Sequence, residues 1–128
     1  MAAFSNYLEN ALINGTLRAT TYTAPATVYV GLFTSDPTDA GSGTEVSGNA
    51  YARQAATFAA PSNGAASTNA DVQFPQATGN WGTVTHFAIF DALTTGNMMY
   101  HGALTSSKTI ETGDVFKIAS GSLTVTLA

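Results

Sequence analysis

The chain contains no cysteine. Disulfides, zinc–thiolate centres and thiol catalysis are therefore excluded. Charge is scarce: four Lys and Arg and eight Asp and Glu in 128 residues, for a net charge of −4. Four scattered cations, Arg18, Arg53, Lys108 and Lys117, cannot build the basic patch that phosphate recognition needs, so nucleic acid is not an expected partner. No apolar run approaches the roughly 18–20 residues of a membrane span, so no membrane is expected either. Residues 1–7 show neither the basic start nor the apolar stretch of a signal peptide, and cytosolic synthesis without processing is expected.

What is present is small and neutral. Ala (22), Thr (20), Gly (12) and Ser (10) make up half the chain. A soluble monomer usually carries more surface charge than this, so much of the surface is expected to face other protein chains. With 45% hydrophobic and 10% aromatic residues the chain reads as folded rather than disordered. Its length fits one domain with an independent core.

Residues 1–15 read as an amphipathic helix segment ahead of a β domain over 16–128. Phe4, Tyr7, Leu8, Ala11 and Leu12 fall on one helical face, with Ser5 as the start cap and Gly15 as the stop. So short a helix must dock, either on its own domain or on a neighbour. Residues 27–34 are apolar at both parities, which predicts a central strand covered on both faces. Gly31 within it suggests a bulge or the close approach of another backbone. Residues 35–49 form a long loop rich in turn residues. Further strands are expected at 50–59, 65–74, 82–90, 98–104, 107–111, 115–119 and 123–127, the first two of these as a hairpin around Pro61-Ser62-Asn63-Gly64. About eight short strands with turn signals between them predict an all-β fold: a single β-sandwich, jelly-roll-like or immunoglobulin-like, behind a short N-terminal α-helix. The expected core is Val28, Val30, Leu32, Val84, Phe87, Ile89, Phe116, Leu123 and Val125.

No residue set carries chemistry. His86 and His101 lie inside predicted strands, without the spacing of a metal pair. The Gly41-Ser42-Gly43 run lacks the context of a nucleophile elbow and reads as loop. Asp36, Asp39 and Glu45 share the long loop without the regular spacing of a calcium site. The eight acids occupy turns, strand ends and the helix, the usual places for surface carboxylates. No catalytic residue, metal site or cofactor is expected. Trp81 reads as a core plug, a carbohydrate platform or an interface anchor.

An ordered series of motifs points further. Tyr7-Leu8-Glu9-Asn10 precedes Tyr22-Thr23-Ala24-Pro25, then Val30-Gly31-Leu32-Phe33-Thr34 with Asp36-Pro37-Thr38. Glu45-Val46-Ser47-Gly48 leads to Tyr51-Ala52-Arg53, and Trp81-Gly82-Thr83-Val84-Thr85-His86-Phe87 to Phe90-Asp91. Gly102-Ala103-Leu104, Ser107-Lys108, Gly113-Asp114 and Gly121-Ser122-Leu123-Thr124-Val125 complete it. In this order the chain resembles a family of small tailed-bacteriophage structural proteins, labelled variously as tail-fibre or capsid-decoration proteins. The resemblance implies a β-sandwich present in many copies on the particle, made in the host cytoplasm and without enzymatic activity.

The chain is small and has no fibre shaft or coiled coil, which favours a capsid cement protein on the capsid exterior. Its expected partners are the major capsid protein and itself, as a homo-dimer or homo-trimer. It would bind across junctions between shell subunits and stabilise the DNA-filled head. A tail, baseplate or fibre-adaptor protein, with a possible part in host attachment, is the alternative. The expected interface residues are Phe4, Tyr7 and Leu8 of the helix, Asp36 to Val46 in the long loop, and Trp81.

Overall fold

The computed structural model describes residues 2–127. Its centre is a five-stranded antiparallel sheet, and strand β2 (Val28–Phe33) shows why it forms. Both parities of β2 are apolar, so both sides of the sheet must be covered. It lies between β6 (Gly82–Phe90) and β3 (Gln54–Ala56), and β7 (Met98–Ile110) and β1 (Ala3–Phe4) complete the order β1-β7-β6-β2-β3. Two ribbons pair separately: β4 (Ala65–Ser67) with β9 (Thr124–Thr126), and β5 (Val72–Gln73) with β8 (Lys117–Ile118). The fold is all-β with one helix, and its second layer is two short ribbons rather than one continuous sheet.

The inner face of the sheet and the ribbons share one core. Val30 and Leu32 of β2, Val84, Phe87 and Ile89 of β6 and Met99 of β7 meet Val72, Phe74, Phe116, Leu123 and Val125. Eight of the nine expected core residues are buried, and Val28 is half-buried at the margin. Phe74 is fully buried and lies against Phe116 edge-on, with ring centroids 5.7 Å apart.

Helix α1 (Asn6–Leu17) docks on this fold rather than standing away from it. Ser5 caps it as expected, its hydroxyl accepting from the Leu8 N–H at 3.2 Å. Leu8 is buried, and the Ser5 N–H donates to the Met99 carbonyl of β7 at 2.9 Å. The helix runs past Gly15, which stays helical, and the left-handed residue that follows its end is Ala19 at φ 54°. The N–H groups of Arg18 and Thr20 both close on the Asn14 carbonyl, at 3.1 Å each.

Two expected strand pairings differ in detail. The segments 98–104 and 107–111 belong to one long strand, β7, whose register with β6 jumps between His86↔Ala103 and Val84↔Lys108. Residues 104–107 therefore have no partner on β6. The expected hairpin at 50–74 persists around its Asn63-Gly64 turn, where φ is 51° and 78°, and at one bridge, Phe58↔Thr68. Beyond the bond from the Asn69 N–H to the Thr57 carbonyl at 3.1 Å its arms part, because Ala56 pairs into the main sheet while Val72 pairs with Ile118. Ala2 makes an isolated parallel bridge with Val125.

Candidate functional site

The outer face of the main sheet presents Phe33, Ala88, Phe90 and Met98, a second and smaller apolar cluster. It is covered by the loop that leaves β2. This strap crosses toward β7, where Gly41 lies over the Met98 side chain and Asp39 meets His101. It then returns to the sheet edge, where Glu45 bridges to Phe33 and the Val46 N–H donates to the Leu32 carbonyl at 2.9 Å. Pro37 of the strap is fully buried.

Two polar anchors hold the strap. At the first, the Asp39 Oδ1 lies 2.7 Å from the Nε2 of His101, and the Asp39 carbonyl accepts from the Asn6 N–H at 2.9 Å. The strap is thus tied to β7 and to the start of α1 together. At the second anchor, Arg53 forms a two-pronged pair with Glu45, Nε to Oε2 and Nη2 to Oε1, each at 2.9 Å. The Arg53 Nη1 donates to the carbonyls of Ala92 and Thr95, at 2.9 and 2.8 Å. Its guanidinium carbon lies 3.5 Å from the Phe90 ring centroid, a cation–π contact. One side chain therefore fastens the strap, the turn at 91–97 and the apolar outer face.

Tyr51 links this anchor to the core. Its hydroxyl donates to Glu45 Oε2 at 2.6 Å and accepts from the Leu32 N–H at 2.9 Å. Its ring stacks on Phe74 and meets Trp81 edge-on. Burial, then the hydrogen bond to Glu45, push the Tyr51 phenol far above its ordinary range. Burial also raises Tyr22 and Tyr100. Gly31 is required beneath the anchor, since a Cβ there would lie 2.8 Å from Glu45 Oε2, 3.1 Å from Phe90 and 3.2 Å from the Tyr51 hydroxyl. The close approach foreseen at Gly31 is made by side chains, not by another backbone.

Clefts flank the strap on either side. One of about 400 Å³ lies between the helix start, Asp39–Gly41 and the 96–98 segment, with Tyr7 on its wall. Another of about 360 Å³ lies between Glu45–Arg53 and the exposed Leu93 of the turn. Arg53 and Glu45 neutralise each other and the Tyr51 proton is held between them and β2. The arrangement is a clamp that fixes loop shape, rather than a poised acid or base.

The expected interface residues separate into two groups. Leu8, Val46 and Trp81 are 3%, 5% and 6% exposed and belong to the chain's own core, so they offer a partner no surface. The Trp81 indole N–H donates to the Asn49 carbonyl at 2.9 Å, and its ring cannot serve as an exposed carbohydrate platform. Phe4 is half-buried in β1, edge-on to Tyr100. Tyr7 and Asp36 are on the surface, and the Asp36 carboxylate accepts from the Thr38 N–H at 2.9 Å. Arg53, Tyr51 and the Asp39–His101 pair were not foreseen. The available signals were Gly31 inside a strand and a single arginine in the neutral stretch from 46 to 70.

No helix among the described residues is long and apolar enough to cross a membrane. No curated protein matches the sequence. A family described as podophage GP4 fiber I protein gp80 does match, over residues 3–126. Nearly the whole fold, both anchors included, lies within that match, and the chain belongs to this family of phage fibre-type virion structural proteins.

Proposed function

We propose that the chain is a non-catalytic building block of the phage fibre apparatus, present in several copies, that works through protein–protein contact. The observation that carries this reading is the family match across residues 3–126. The geometry supports it in two ways. The anchors at Asp39 and Arg53 hold the strap in place before any partner arrives, which reduces the ordering entropy that binding must overcome. The strap also exposes Ser35, Thr38, Ala40, Ser42 and Thr44, neutral groups that cost less to desolvate than the carboxylates of Asp36 and Asp39 beside them. The capsid-cement reading, with the major capsid protein as partner, rests on small size and the lack of a shaft. The fibre reading has the family match behind it as well, and other subunits can supply a shaft.

The test is to count and locate the chain on purified virions, by quantitative mass spectrometry and by antibody labelling in the electron microscope. Label on the tail, with copies in a small multiple of the tail's symmetry, is the expected result. Label over the head, in fixed ratio to the shell protein, would overturn the fibre reading in favour of cement.

A further inference from the structure

Strand β7 is longer than anything it pairs with inside the chain. It has 13 residues, and on its outer side β1 covers only Tyr100 and His101. From 102 to 110 that edge carries no other strand among the described residues. Residues 105–109 are exposed in succession, so both faces of this half of the strand are bare. A strand lying on a core alternates instead. Residues 104–107 lack a partner on β6 as well. Open edges in monomers are usually guarded by several charges or a proline. Here residues 92–110 contain no proline and no acid, and Lys108 is the only Lys or Arg.

We propose that this edge pairs with the same edge of a second copy, antiparallel about a two-fold axis near Ser106. The inference rests on the reading of the chain as a multi-copy structural subunit. Antiparallel pairing of identical strands is self-complementary, as a two-fold interface requires. Charge opposes a second copy least at this place. Two chains of net charge −4 repel, and all eight acids lie outside 92–110. With the axis near Ser106 the two Lys108 residues sit four strand positions apart, roughly 13 Å at 3.3 Å per residue, beyond the ~8 Å reach of unscreened charge at physiological salt. Thr and Ser suit the new ladder, and cross-strand hydroxyl pairing is already seen between Thr83 and Thr109, 3.0 Å apart.

The experiment uses the full chain in solution. Sedimentation velocity reads its mass, and hydrogen–deuterium exchange reads the outward amides of 103, 105, 107 and 109. The expected result is a species of twice the chain's mass, with those amides protected and protection lost on dilution. Ser107→Pro removes a donor on the outward alternation, since the backbone groups of Met99 and His101 face β1 while those of Ile110 face β6, and Thr105→Lys adds a guarding charge. Each is expected to give a monomer whose circular dichroism matches the parent, and the second serves if the first fails to fold. A monomer at millimolar concentration overturns the proposal. So does a dimer whose outward amides at 103, 105, 107 and 109 exchange freely, or one that survives Thr105→Lys. None of these outcomes bears on where the chain sits in the virion, so the fibre reading is tested separately.

Discussion

The two faces of the main sheet are sealed by different physics. Inside, Val30, Leu32, Phe87 and Ile89 meet the ribbons through apolar contact alone. Outside, a four-residue apolar cluster lies under a strap held by Arg53–Glu45 and Asp39–His101. Apolar packing tolerates small errors of placement, since each contact is weak and non-directional. A half-buried two-pronged ion pair does not, because losing one partner leaves the other charge short of both its counter-ion and full hydration. The difference shows how a chain with few charges can still fix a long loop: it places Arg53 and Glu45 where each has several partners.

The largest expected effect tests the inner face. Phe74→Ala, at a site 1% exposed between the rings of Tyr51 and Phe116, is expected to cost about 4 kcal/mol in equilibrium denaturation. The outer face comes next: Arg53→Met, which strands Glu45, is expected to cost about 3 kcal/mol. Pairing it with Glu45→Leu is expected to recover part of that loss, since no unpaired charge is left. A double variant no better than Arg53→Met would show that the anchor is held by shape rather than by charge.

Gly31→Ala forces a methyl group against Glu45, Phe90 and Tyr51 and is expected to cost about 2 kcal/mol. Tyr51→Phe, which orphans the Leu32 N–H, is expected to cost about 1.5 kcal/mol near neutral pH. Its pH dependence has a definite sign. The folded state raises the Tyr51 pKa above the ordinary 10.0, so it keeps a proton that the unfolded chain releases. This contribution to stability is present below pH 10 and declines as pH rises above it. The stability gap between the parent and Tyr51→Phe is therefore expected to narrow in alkaline denaturation series. The smallest effect is at Leu17, 79% exposed at the helix end: Leu17→Ser is expected to change stability by less than about 0.5 kcal/mol.

The inner face was legible because periodicity reports apolar burial. The run from 27 to 34 requires cover on both sides, and eight of the nine expected core residues are buried in the inner core. The Ser5 cap was legible because it is a local hydrogen bond. The outer face was not, because its anchors join residues far apart in sequence and leave no period. Asp39 meets His101 62 positions away, and Arg53 reaches a carbonyl 42 positions on. Leu8, Val46 and Trp81 read as interface residues in the sequence because apolar residues near loops and helices look alike there whether they face inward or outward. The end of the helix shows the same limit, since Gly15 is a good stop but nothing local compels the chain to use it.

The parallel bridge between Ala2 and Val125 has a consequence for assembly. The two ends of the described chain lie side by side but run in the same direction, so polypeptide attached before residue 2 and after residue 127 would leave that contact on opposite sides. A tether pulled at both ends would shear that bridge, loading β9 and its ribbon on one side and β1, with its pairing to β7, on the other.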